Sequence, residues 1–197
     1  MPVVPERTAR SADEAAAAAT ELGFPVVVKT ASAGAHKTES GGVALNLADD
    51  TEVRAAAERI GGDVVVQRMV RGGAELLAGA VQDPVFGPLV AFGPGGVFAE
   101  LIGNAQFRLA PLTDIDAREL VRDGKAGTLV RGYRGAPPAD EDALVDLLLR
   151  LSQLAADHPE VAELDLNPVL ALPGGAVAVD ARVRIAHPEK ATRAKSW

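Results

Sequence analysis

The 197-residue chain contains no cysteine, which excludes disulfides, thiolate metal ligands and thiol nucleophiles. Aromatic residues make up only 4% of it, so valine, leucine and alanine must fill any core. Basic residues are outnumbered, 20 against 27 acidic ones, and the net charge of −7 opposes attraction to nucleic acid or an anionic membrane. No apolar run approaches the ~20 residues of a membrane span. The start, Met1-Pro2-Val3-Val4-Pro5-Glu6, has neither the basic nor the apolar region of a signal peptide. The expectation is therefore a cytoplasmic protein with no nucleic-acid or membrane partner. What remains, 48% hydrophobic and 24% charged, is ordinary globular composition with length enough for a real core.

The strongest local pattern is Glu163-Leu164-Asp165-Leu166-Asn167-Pro168, followed across Pro173-Gly174-Gly175 by Ala178-Val179-Asp180-Ala181-Arg182. Both runs read as strands of a hairpin. A turn at Pro173 and Gly174 sets Asn167 opposite or diagonal to Asp180, with Asp165 two residues along on the same face. Three oxygen-bearing side chains then converge where a core face would be apolar. Hard oxygens with open positions suit Mg²⁺ carrying a nucleotide's phosphates. A lone Asp-x-Asn would be read as a solvated strand face, and the second carboxylate reverses that.

Upstream, Ser11-Ala12-Asp13-Glu14 predicts a capping box on an alanine-rich helix ending at Leu22-Gly23. Strands are expected from Phe24 to Lys29, Val43 to Leu47, Asp63 to Val70, Glu75 to Gln82, Leu89 to Phe92, Val97 to Leu101 and Gln106 to Ala110. Helices are expected from Asp49 to Ile60, Thr113 to Asp123 and Asp140 to Asp157, with an irregular stretch over Gly124–Pro138. In the last helix Leu144, Leu147, Leu148, Leu151 and Leu154 form a buried stripe. Without regular βαβ alternation the pattern is α+β with mostly antiparallel sheets, ending in a loose charged tail from His187.

Lys29 ends an otherwise apolar strand, where its ammonium can hold a phosphate; a snorkelling strand-end lysine is the plainer alternative. The small-residue loop Ala31 to Gly42 offers backbone N–H groups to an anion. At its centre His36 could accept a phosphoryl group, although the same loop also reads as a hairpin turn with an exposed histidine. It is not a Walker A loop. Gly93-Pro94-Gly95-Gly96 reads as a turn or as close backbone approach to a ligand. Glu75 could accept ribose hydroxyls or be a plain strand-start carboxylate. Arg108 could pair with phosphate or with Glu100. His158 and His187 do not read as site residues.

Taken in order, several of these pieces resemble one family: Phe24-Pro25-Val26-Val27-Val28-Lys29, His36-Lys37-Thr38-Glu39-Ser40-Gly41-Gly42-Val43, Asp83-Pro84-Val85-Phe86-Gly87-Pro88, Phe92-Gly93-Pro94-Gly95-Gly96-Val97, Phe107-Arg108-Leu109-Ala110-Pro111-Leu112, Gly132-Tyr133-Arg134-Gly135 and Glu163-Leu164-Asp165-Leu166-Asn167-Pro168. The chain is similar over nearly its whole length to the ATP-grasp domain of ADP-forming acyl-CoA synthetases. The resemblance implies an ATP-grasp fold, two α+β subdomains with mostly antiparallel sheets gripping a nucleotide. The first would be 1–67, with the lysine strand and histidine loop, and the second 68–185, with the glycine loop and metal hairpin; 186–197 would be a tail.

By the same resemblance, Lys29 contacts the nucleotide phosphates, and Gln67, Arg68, Met69 and Val70 form the adenine-side hinge; Gly95, Gly96 and Arg108 are further candidates for nucleotide binding. Glu75 lies near the ribose. Asn167 and Asp180 hold Mg²⁺ with Asp165 behind them, and His36 relays the phosphoryl group between ATP or ADP and the partner. The implied reaction interconverts acyl-CoA, ADP and phosphate with acid, CoA and ATP. Its CoA-binding and ligase domains would lie elsewhere in a parent chain or in another subunit. Two positions depart from the family pattern: Ala33-Gly34 replaces Pro-Asp, and Asn104 replaces Asp. Two alternatives stand beside this reading, a silent ligand-sensing module regulating a fused protein acetyltransferase and a purely structural domain.

Overall fold

The structure, a computed structural model, describes residues 2–32, 41–96 and 105–187. The chain divides into two compact units, one of Val4–Arg71 and one of Met1–Val3 with Gly72–Trp197. Every ladder between named strands is antiparallel.

The Val4–Arg71 unit is a four-stranded sheet under two helices. Its elements are β1 (Glu6–Ala9), α1 (Ala12–Leu22), β2 (Val26–Thr30), β3 (Val43–Leu47), α2 (Asp50–Ile60) and β4 (Val64–Arg68), with strand order β1-β4-β2-β3. Ser11 caps α1 by accepting from the Glu14 N–H, as its sequence predicts. The reciprocal half of the capping box is altered: the Glu14 carboxylate takes the N–H of Arg10, one residue earlier, at 2.9 Å. Alternation along β2 and β4 sends Val26, Val28, Val64 and Val66 into a core with Ala15, Ala16, Ala19, Val53, Ala56 and Ala57. The small helix residues let α1 and α2 sit close on the sheet. Strand β1 is absent from the sequence expectation. It exists because β4 offers an open edge, against which Glu6 meets Gln67 and Ala9 meets Val64.

The larger unit carries β5 (Ala74–Asp83), β6 (Gly87–Pro94), β7 (Gln106–Leu109), α3 (Asp114–Arg122), α4 (Gly124–Val130), α5 (Glu141–Asp157), β8 (Val161–Leu172), β9 (Gly175–Ala178) and β10 (Ala181–Ile185). The strand order is β10-β8-β5-β6-β7, with β9 also on β8. One sheet face meets the helices through Leu76, Ala78, Val90, Phe92, Leu164 and Leu166, packed on Leu144, Leu147, Leu148 and Leu151. The leucine stripe is real, though Leu154 is only partly buried.

The stretch 124–138, expected to be irregular, begins with helix α4. Burial of Ala126 and Val130 against the core outweighs the poor helix propensity of its glycines. Gly127 is required there, because a Cβ would strike the Arg122 carbonyl. The expected strand near Val97–Leu101, the phosphate-loop residues 33–40 and the tail beyond His187 lie outside the described residues.

Candidate functional site

The hairpin keeps one register along β8: Val169 faces Ala178 on β9, and Leu166 faces Ala181 on β10. Between those pairs Asn167 falls opposite Asp180, and the Asn167 N–H donates to the Asp180 carbonyl at 3.2 Å. Next to it the Val179 N–H donates to the Pro168 carbonyl at 3.0 Å. Directly opposed residues hold their Cβ atoms about 4.5–5.5 Å apart, close enough for both side chains to reach one cation. Leu164 and Leu166 point into the core, so Asp165 and Asn167 share the other face.

Asp165 lies between Arg182 on β10 and Gly79 on β5. Burial pushes its carboxyl above the ordinary carboxylate range. The Arg182 guanidinium pulls it down, while Glu163 and Asp180 add to the rise. A half-buried carboxylate with acidic neighbours gains from a nearby cation.

The turn after β6 is built onto this face. The Gly95 N–H donates to the Glu75 carbonyl at 2.9 Å, and the Gly96 N–H donates to Oδ1 of Asn167 at 2.9 Å. A Cβ at Gly95 would collide with the Leu76 carbonyl, and one at Gly96 with the Glu75 carboxylate. Gly96 also adopts φ +66°, a region open to glycine. Glu75, Gly95, Gly96 and Asn167 are therefore brought together. The glycines serve close approach as well as turning the chain. Gly96→Ala is expected to displace Glu75 and break the bond to Asn167, lowering stability by about 1–3 kcal/mol and weakening ligand binding at this face. Thermal unfolding with and without Mg·ADP measures both effects.

Arg108 is directed elsewhere. Its cross-strand partner is the core residue Val90, and its guanidinium lies 3.8 Å from Glu119 and 4.0 Å from Asp123 on the helix side. It thus stands on the opposite sheet face from Asn167.

In the Val4–Arg71 unit the sheet face away from the helices carries Lys29 and Gln67, both buried. Gln67 donates through Nε2 to the Glu6 carboxylate at 2.9 Å, and Lys29 Nζ lies 3.7 Å from the same oxygen. Arg68, the last residue of β4, is exposed, while Met69 and Val70 just beyond it are half-buried. The backbone N–H groups of Arg68 and Met69 are taken by the carbonyls of Pro5 and Pro25. Glu6 is the neighbour that sequence reasoning missed, because nothing local marks it; only the pairing of β1 with β4 brings it beside Lys29. His36 lies outside the described residues.

Among the described residues no group of three or more histidine and acidic side chains gathers as a metal cage. The Asn167–Asp180 pair nevertheless fits a magnesium ion. Mg²⁺ is held through one or two carboxylates plus water and phosphate oxygens, and the Asn167 carbonyl oxygen keeps a second lone pair beside its bond from Gly96. No helix among the described residues is long and apolar enough to cross a membrane.

Comparison with known proteins gives the family and the fold. The family model described as "ATP-grasp domain" matches residues 1–185. Acetate–CoA ligase (ADP-forming) I of Archaeoglobus fulgidus is 46% identical over 194 residues, covering 92% of this chain and 28% of that protein. The beta subunit of acetate–CoA ligase (ADP-forming) I of Pyrococcus furiosus is 38% identical over 196 residues, covering 93% of this chain and 84% of that one. This chain thus spans little more than a quarter of the first protein and most of the separate subunit. Among solved structures, the dinucleotide-forming acetyl-coenzyme A synthetase 1 of Ca. Korarchaeum cryptofilum, in complex with coenzyme A, Ca-AMPCP and HgCl⁺, superposes with TM-score 0.89 at 41% identity. It covers 94% of this chain and 86% of that one. The same synthetase with coenzyme A and Mg-AMPPCP, its phosphohistidine segment pointing towards the nucleotide site, gives TM-score 0.84 at 42% identity over 94% and 85%. Both the Archaeoglobus and the Pyrococcus relatives are named as ADP-forming ligases, which lends no support to the acetyltransferase-regulating alternative. The antiparallel α+β fold, the ordered motifs and the match over residues 1–185 together make this chain a member of the ATP-grasp family, the ATP-grasp portion of the kind found in ADP-forming acetyl-CoA synthetases.

Proposed function

We propose that this chain is the nucleotide-binding, phosphoryl-transferring part of an ADP-forming acid–CoA ligase, acting with CoA-binding and ligase domains carried in a parent chain or a separate subunit. The observation that carries the reading is the Asn167–Asp180 opposition, with Gly96 holding the amide oxygen of Asn167. The Val4–Arg71 unit supplies Lys29 for the phosphates, His36 for phosphoryl relay and Gln67, Arg68, Met69 and Val70 for the base-side hinge. The larger unit supplies Glu75 for ribose, Gly95 and Gly96 for phosphate approach, and Asn167 with Asp180 for Mg²⁺. Arg108 has no role in this reading, because β7 holds it on the opposite sheet face, beside Glu119 and Asp123.

Bound Mg²⁺ would neutralise phosphate charge that an acidic chain cannot offset alone. In the ATP-forming direction the β-phosphate oxygen of ADP attacks phosphorus on His36, the P–N bond breaks and the neutral imidazole leaves. Lys29 holds the nucleotide's phosphates in place as the bond forms. The existence of both the long Archaeoglobus protein and the Pyrococcus beta subunit supports a partner that supplies acyl-CoA chemistry.

Calorimetric titration with Mg·ADP and Mg·ATP tests the reading. Binding is expected for the wild-type chain, and Lys29→Ala should weaken it about tenfold or more, the loss of a charge-assisted phosphate contact. Absence of heat and of thermal shift with either nucleotide would sink the proposal.

A further inference from the structure

Glu6 has no part in the site just described, yet it touches two of that site's members. Strand β1 opens with Glu6 opposite Gln67, and Gln67 is opposite Val27 on β2. Lys29 lies two residues beyond Val27, so Glu6, Gln67 and Lys29 share the sheet face away from the helices. One carboxylate oxygen of Glu6 accepts from Gln67 Nε2 at 2.9 Å and lies 3.7 Å from Lys29 Nζ. The Lys29 side chain is 11% exposed and that of Glu6 50%. A nearly buried ammonium is drawn toward a nearby counter-charge, and because Glu6 is half in solvent the pair adds little to stability. At 3.7 Å the carboxylate steers the ammonium by charge, beyond the range of a direct hydrogen bond.

We propose that Glu6 is a positioning residue: anchored by Gln67, it aims the Lys29 ammonium at the phosphates of a bound nucleotide. This rests on the reading of Lys29 as the phosphate contact. Two effects compete, since a carboxylate near phosphates also repels them. The repulsion is weak because Glu6 is half in solvent, where water and salt screen it. The orienting effect acts on a side chain almost out of water and therefore dominates.

Glu6→Gln keeps an acceptor for Gln67 and removes only the charge. In the whole chain it should lower Mg·ADP affinity about tenfold, a coupling of 1.4 kcal/mol, while leaving the melting temperature near that of wild type. Glu6→Ala should do at least as much. In a Lys29→Ala background neither substitution should change affinity further, whereas a merely structural role for β1 gives the same penalty in both backgrounds together with a lower melting temperature. Equal penalties in the two backgrounds, or wild-type affinity in Glu6→Gln alongside weakened Lys29→Ala, overturn the positioning role alone. Wild-type affinity in Lys29→Ala overturns the phosphate reading of Lys29 and the role of Glu6 with it.

Discussion

An alanine at position 36 is expected to abolish phosphoryl capture by this chain, reducing label transferred from Mg·ATP, or from the phosphorylated partner, by on the order of 10³-fold or more. Of the nucleophiles in the small-residue loop, only the imidazole is both a good acceptor and a good leaving group near neutral pH. Ser32, Thr38 and Ser40 carry hydroxyls that need an activating base and would give stable phosphoesters. The phosphoryl–imidazole bond is acid-labile and alkali-stable, so the label on wild-type protein should be lost in acid and survive base. Label on His36→Ala equal to wild type would remove His36 from the mechanism. Acid-stable label would transfer the role to a hydroxyl of the same loop. Nucleotide affinity should change little, which separates lost chemistry from lost binding.

The second large effect belongs to the hairpin. Asp180→Ala is expected to weaken Mg²⁺-dependent nucleotide binding by more than about 100-fold, against about tenfold for Asp165→Ala. The difference follows from register. Asp180 stands directly across from Asn167, whereas Asp165 is one ladder step away, facing Arg182 and Gly79. Titrating Mg²⁺ at fixed nucleotide measures both, and a larger loss in Asp165→Ala would reverse the ranking.

Asp165 also makes a pH prediction. Its folded-state carboxyl is raised above the ordinary value of 3.8, chiefly by burial. The native state therefore binds the proton more tightly than the unfolded chain does. Native stability falls as pH climbs from that ordinary value through the raised one, and the cost persists at neutral pH. Asp165→Asn should melt at a higher temperature than wild type at pH 7 without Mg²⁺, and the gap should close in acid. A gap independent of pH would assign it to packing instead.

Much of this was readable in the residues. Glycine-terminated, capped helices appeared as α1 and α2 because short-range capping chemistry decides where helices start and stop. The hairpin register was legible because Pro173-Gly174-Gly175 leaves few ways to turn, and one turn position sets every opposite pair. Other features were out of reach. Helix α4 forms on glycine-rich sequence only because Ala126 and Val130 find a core to enter. Arg108 could face either way until β7 paired with β6 and set it toward Glu119 and Asp123. Glu6 looked like one acidic residue among many until β1 added itself to β4.

By itself the sequence determined most of the elements, the family and the chemistry on offer: a strand-end lysine, a histidine in a loop of small residues, and oxygen donors on a hairpin. Those follow from local rules of period, capping and turn geometry, which act over a few residues. Only the tertiary structure decided which groups meet. It set Gly96 against Asn167 and Glu75, and Glu6 against Lys29 and Gln67. Such contacts join residues some 20–70 positions apart. They are selected by the sheet pairing and core packing of the whole unit, which no local stretch encodes.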